Sequence, residues 1–342
     1  MPDFPESFVV DGSGVETVFL ETSGERHLAR IGGLTALERC VREAAKRGAQ
    51  RAIVAAEPVE FPRALPIPVD FVPRGTAPPA GARVERADVI AGIELVDDAA
   101  RKRAEWQLIR GMSKSFQGPV DALINWRMSM PITRVLAQRS LRLTPNQVTV
   151  TSILVGLAAA LVLLRSHGYP LVAVAGLMFQ LNSVLDSVDG ELARLRYQFS
   201  KLGQWLDNVS DDVVDNLFIV CAGMATGGVW QWLAIGAASA RVLASLVMYV
   251  DVYRRTGTGD VFAFRYWFEA DKVTADDVYD PKALSTWLRS FGRRDFYTFA
   301  FAIACVCNFP MWVVVHGAVI AATVVSLLLL HYTVFRHRRP AR

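Results

Sequence analysis

After Gln147 this chain runs through long stretches almost free of charge, which leaves it few ways to fold. Where lipid replaces water, backbone N–H and C=O groups must find partners inside their own segment, so each stretch is expected to be a helix. Six spans can be drawn, at about 147–165, 169–187, 207–227, 229–251, 296–309 and 311–334. The fifth is short for a bilayer unless it begins near Phe291 and its arginines snorkel to the interface. Basic residues set the orientation. Connections 2–3 and 4–5 hold Arg194, Arg196 and Lys201, then Arg254, Arg255, Arg265, Lys272, Lys282, Arg289, Arg293 and Arg294, while the opposite connections hold almost none beyond Arg165. The positive-inside rule therefore puts both termini in the cytoplasm of a multi-pass protein of the cell (inner) membrane. Trp126, Trp205, Trp230, Trp232 and Trp312 fall near the boundaries, as interface anchors would.

Before Thr144-Pro145-Asn146 the composition is different, rich in charge and proline. Residues 15–21 and 51–56, Val69–Val72 and Ala87–Ile90 read as strands, and 34–47 has the helical spacing of Leu34, Leu37, Val41 and Ala45, closed by Gly48. A helix from about Asp97 to Arg110 follows. Residues 113–142 mix Phe116, Leu123, Trp126, Met130 and Leu136 with Lys114, Arg127, Arg134, Arg139 and Arg142, as in an amphipathic helix at the headgroup level. The expected fold is an α-helical integral membrane protein of six transmembrane helices with a small N-terminal α/β cytoplasmic domain. Its parts are 1–110 (α/β), 111–143 (interfacial helix) and 144–342 (membrane domain). The opening MPDFPESFVVDGSG has early acids and no apolar core of signal-peptide length, so the amino end is expected to stay in the cytoplasm. A net charge of +4 without a basic and aromatic surface speaks against nucleic acid, and four dispersed cysteines show no zinc-like pairing.

Chemistry concentrates between Asp186 and Asp211, in DSVDGELARLRYQFSKLGQWLDNVSD. On helices Asp186 and Asp189 share one face, as do Asp207 and Asp211, so all four can point at one centre. Converging carboxylates repel unless a cation sits between them, and hard divalent ions prefer oxygen ligands. Gly190, Ala193 and Gly203 reduce side-chain bulk nearby, where a phosphorylated ligand could approach the backbone, and Arg194 adds a charge for phosphate.

The pattern Asp186-x2-Asp189-Gly190-x2-Ala193-Arg194-x8-Gly203-x3-Asp207-x3-Asp211 resembles the signature of the CDP-alcohol phosphotransferase family at all eight fixed positions. Thr144-Pro145-Asn146 resembles the family's entry to its first membrane helix, and the layout is similar to the branch of di-myo-inositol-phosphate-phosphate synthases and their fused relatives. The resemblance implies transfer of a phosphatidyl or similar phospho-alcohol group from a CDP-alcohol to a second alcohol, such as an inositol phosphate, in phospholipid or polar-lipid biosynthesis, with release of CMP. It implies Mg2+ or Mn2+, as two ions, on Asp186, Asp189, Asp207 and Asp211, with Asp211 as the preferred general base. Asp189, Gly190, Ala193, Arg194, Gly203 and Asp207 would hold the nucleotide. It also implies a homodimer. Arg241, deep in the fourth span, and Arg293 and Arg294, at the start of the fifth, are candidates for an acceptor phosphate.

The segment IGGLTALERCVREAAKRGAQRAIVAA resembles the helix-strand unit of nucleotidyl transferases, but ETSGERHLARIGG lacks their phosphate-loop glycine spacing, so a degenerate domain is expected. Two rival readings are a bifunctional enzyme with an active cytidylyltransferase and a transporter using intramembrane carboxylates. Transport favours acids at mid-span in two matching halves, and here the acids lie at span ends without a repeat.

Overall fold

The computed structural model describes residues 16–112, 118–137, 143–257, 264, 266 and 290–334. The amino-terminal segment, Lys114, Phe116, Arg139 and Arg142 of the interfacial helix, and Arg265, Lys272, Lys282 and Arg289 lie outside the described residues. The described chain divides into two compact units. One comprises 16–112 with 134–137 and 194–197; the other takes the rest.

The first unit is built on four parallel strands in the order β5-β4-β1-β6: β1 Thr17–Glu21, β4 Arg51–Ala55, β5 Val69–Val72 and β6 Arg83–Arg86. Helix α1, Ala36–Lys46, starts where Thr35 Oγ1 accepts from Glu38 N at 3.1 Å, and it ends at Gly48, whose φ of +105° favours glycine. Its face of Leu37, Val41 and Ala44 packs on Val18, Leu20, Ala52 and Val54, each large apolar side chain stabilising the unit by about 1.5–3 kcal/mol. Strand β6, of sequence RVER, is absent from the sequence expectation. It sits at the sheet edge with largely exposed side chains, so it needs no apolar alternation and shows none. Strands β2 (Arg30–Ile31) and β3 (Leu34–Thr35) form a hairpin whose two-residue turn, Gly32-Gly33, has φ of +56° and +86°. β7 (Val89–Ile90) and β8 (Ile93–Glu94) pair before α2, Asp98–Gly111, which Asp97 caps by accepting from Ala100 N at 2.5 Å. The loop after β1 is tied to the neighbouring strands' ends. Thr22 Oγ1 donates to Ala55 O at 2.6 Å, and Arg74 Nη2 donates to Gly24 O at 2.9 Å.

The second unit is mostly helical: α3 (Trp126–Ala137, whose last turn falls in the first unit), α4 (Pro145–Leu164), α5 (Tyr169–Arg196), α6 (Lys201–Thr226), α7 (Val229–Thr256), α8 (Arg294–Val306) and α9 (Met311–Thr333). Thr144 and Gln147 form a capping box with Pro145 in the first turn, which explains the entry to α4. Six helices thus stand where six spans were drawn. Four of them, α4, α5, α7 and α9, are long and apolar enough to cross a membrane. Helix α6 carries Asp207, Asp211, Asp212 and Asp215, and α8, at 13 residues, is about 20 Å long against a hydrocarbon core of roughly 30 Å. Phe179 and Phe218 stack at 3.9 Å in the helical core, with Phe301 beside them, whereas Leu154, Leu243 and Trp232 are exposed, as lipid-facing side chains would be.

Helix α3 is preceded by a π-helical stretch, Asp121–Asn125. Its buried stripe, Asn125, Ser129 and Thr133, is polar, while Leu123, Met128 and Val135 are exposed. An amphipathic helix is present, with polar groups turned inward.

Candidate active site

Helices α5 and α6 bring the acids together. One carboxylate oxygen each from Asp186, Asp207 and Asp211 lies within 4.8 Å of the others, the one such acidic group among the described residues. At an effective dielectric of about 20, each such pair repels by roughly 3–4 kcal/mol, so the cluster requires cationic company. Part of it comes from Arg294, in the first turn of α8. Its Nη1 lies 2.6 Å from Asp186 Oδ2 and 2.8 Å from Asp211 Oδ2, Nε lies 3.3 Å from Asp215 Oδ2, and Nη2 donates to Asn182 Oδ1 at 3.3 Å. Arg294 is in contact with Asp186, Asp211 and Asp215, and the all-oxygen donor set of the cluster fits a hard divalent cation.

Asp189 stands apart from that group. It is buried, and its Oδ2 accepts from Thr149 Oγ1 of α4 at 2.5 Å. Gly203 is required by crowding: a Cβ there would lie 2.8 Å from Asn146 Oδ1 and 2.7 Å from Ser200 Oγ, the hydroxyl that caps α6 by accepting from Gly203 N. Gly190, Ala193 and Arg194 are partly buried along the last turns of α5.

The three acceptor candidates separate. Arg294 joins the acids, whereas Arg293, partly exposed, pairs with Asp295 at 3.0 Å. Arg241 is buried in α7, donates from Nη2 to Tyr297 Oη at 3.3 Å, and lies 5.1 Å from the centre of that ring. Tyr297 Oη in turn donates to Asp215 Oδ2 at 2.5 Å. Asp215, Tyr297, Asn182 and Thr149 were not assigned by sequence reasoning. Asp215 carried a signal, since it continues the four-residue step from Asp211; the others depend on neighbouring helices. Glu191, inside the signature, is also buried and accepts from Ser129 Oγ at 2.5 Å and Thr133 Oγ1 at 2.6 Å, fastening α3 to α5.

Known proteins are similar to part of this chain. A bifunctional IPC transferase and DIPP synthase from Thermococcus kodakarensis is 36% identical over 147 residues, 42% of this chain and 32% of that protein. Its namesake from Aquifex aeolicus is 33% identical over 136 residues, 40% and 29% of the two chains. An archaetidylinositol phosphate synthase from Pyrococcus horikoshii is 31% identical over 107 residues, 31% of this chain and 54% of that protein. The chain thus spans about a third of the length of the first curated relatives it matches. The family model for CDP-alcohol phosphatidyltransferase matches residues 142–328, which include every signature residue and the acid cluster. The chain belongs to the CDP-alcohol phosphatidyltransferase family.

Proposed function

We propose that this protein transfers a phospho-alcohol group from a CDP-alcohol to the hydroxyl of a second alcohol, releasing CMP, in the synthesis of inositol-phosphate lipids or related polar lipids. The observation that carries this reading is the meeting of Asp186, Asp207 and Asp211 within 4.8 Å beside Arg294. Asp186, Asp207 and Asp211 would hold Mg2+ or Mn2+, with Asp189 completing a two-ion site. A divalent cation bound there supplies charge neutralisation on the pyrophosphate and on the departing CMP.

The chain's own groups do the rest. Asp211 takes the proton from the attacking hydroxyl, so that oxygen attacks the phosphorus as the bond to CMP breaks. Gly190, Ala193, Arg194 and Gly203 line the nucleotide's approach. Arg294, beside the acids, and Arg293, next to it in sequence, would add positive charge for a phosphate on the acceptor. In this reading all six helices, α4 to α9, cross the membrane, and both termini and the acids face the cytoplasm. The part before residue 111 is a degenerate nucleotidyltransferase-like domain, 111–143 lies at the headgroups, and the protein works as a homodimer. The names of the relatives favour an inositol phosphate as acceptor.

Purified protein supplied with a panel of CDP-alcohols and acceptors tests the assignment through CMP release. Turnover is expected with at least one donor and an inositol phosphate, and Asp211→Asn should abolish it while leaving the helical content intact. Near-normal turnover in Asp211→Asn would sink the base assignment.

A further inference from the structure

The first unit has a cavity that the transferase reading does not use. It encloses about 280 Å3 between the β2–β3 hairpin and α2, lined by Arg30, Gly32, Gly33, Arg101, Lys102, Glu105 and Arg134. Four cations face one acid, and that acid is already engaged: Glu105 Oε1 accepts from Gly32 N at 3.1 Å and Oε2 from Arg134 Nε at 2.9 Å. Arg134 is further held over the Trp106 ring, 4.9 Å from its centre. Glu105 and Arg134 therefore make a fixed floor of balanced charge. Above it stand Arg30, Arg101 and Lys102, countered by Asp98 alone, which pairs with Arg101 at 2.6 Å and Lys102 at 2.9 Å from an exposed position outside the lining.

The i,i+3 and i,i+4 pairs of Asp98 with Arg101 and Lys102 support the helix, but one carboxylate there meets two cations, and Arg30 on the hairpin adds a third. Asp97 and Asp98 already supply the acids that an α-helix N-terminus favours, whereas Arg101 and Lys102 add positive charge near the positive end of the α2 dipole. A bound anion would be favoured by both the side chains and the dipole. Exposed ion pairs such as those of Asp98 are weak and exchange readily with a stronger anionic partner. The concave wall concentrates the field of the cations, and a volume just below the usual range of drug-sized pockets suits one small, strongly charged group.

We propose that this cavity binds a phosphate monoester dianion, gripped by Arg30, Arg101 and Lys102. The phosphate can come from a soluble phosphorylated compound or from a lipid headgroup such as that of phosphatidic acid. The site is independent of the acid cluster and of the transferase reading.

The full chain in detergent micelles would be titrated with radiolabelled orthophosphate and, separately, with short-chain phosphatidic acid. The Arg101→Ala/Lys102→Ala double variant is compared with wild type, with CMP release followed in parallel. The expected result is binding weakened by about tenfold or more in the variant, with turnover unchanged. Loss for orthophosphate identifies a soluble source; loss confined to phosphatidic acid identifies the lipid. Equal binding of both probes by wild type and variant overturns the proposal. Arg30→Ala, on the hairpin, provides the same comparison should the double variant alter the circular dichroism spectrum, and unchanged binding there overturns the proposal equally.

Discussion

Arg294 and Arg241 illustrate how little a residue's type says about its partners. Both were read as cations available to an acceptor phosphate. Arg294 sits among Asp186, Asp211 and Asp215, while Arg241 donates from Nη2 to Tyr297. Arg241→Ala would remove the cation that donates to Tyr297, leaving Arg294 as the cation in contact with Asp215, and breaking such a buried arrangement typically costs about 3–5 kcal/mol. A marked loss of stability in thermal unfolding is expected, with similar changes in KM for donor and acceptor. A selective rise in acceptor KM would instead argue that Arg241 touches the acceptor. In the first unit, burial lowers the His27 imidazole below its ordinary 6.5, outweighing the hydrogen bond to Gly24 O. The unfolded chain then binds this proton at higher pH than the folded one. The stability linked to His27 is complete above about pH 6.5 and is lost as pH falls through the lower folded value. This acid-side decline should diminish in His27→Gln, as read from melting temperature against pH.

Among the elements, α5 carries the most information. Its signature residues follow from helical spacing, and the acids of α6 from the same rule, so this half of the site was legible in sequence. The role of α3 was half legible. Its amphipathic character was evident, but α3 buries the polar stripe of Asn125, Ser129 and Thr133 and exposes Met128 and Val135, and an amphipathic pattern alone cannot tell which face turns inward. Ser129 and Thr133 hold the Glu191 carboxylate, and hydrogen bonds to charged groups contribute about 1.5–3 kcal/mol each. Ser129→Ala/Thr133→Ala should therefore loosen α3, seen as faster amide hydrogen exchange over 126–137. Exchange unchanged from wild type would show that α3 is held by other contacts.

For the whole molecule, the acid cluster should link cation binding to stability. A ligand that binds only the folded protein stabilises it by about 2.7 kcal/mol at a hundred times its Kd. Adding Mg2+ or Mn2+ should raise the melting temperature, chelation should reverse the rise and stop turnover, and Asp207→Asn should blunt both effects. A melting temperature indifferent to either ion would count against the metal site. The first unit shows the other side of this scale. Its four parallel strands pair along the sheet, and the loop after β1 is tied to its neighbours through Thr22, which donates to Ala55 O, and Gly24 O, which accepts from Arg74.

The sequence by itself determined the helices, the capped entry to α4, the α/β character of the first unit and the faces on which the acids lie, because periodicity, capping and turn chemistry act over a few residues. Tertiary structure alone decided that Asp189 turns to Thr149, that Arg294 joins the acids while Arg293 does not, and that Tyr297 stands between Arg241 and Asp215. Those outcomes depend on which helices pack together and at what depth, and no spacing within one helix encodes its neighbour.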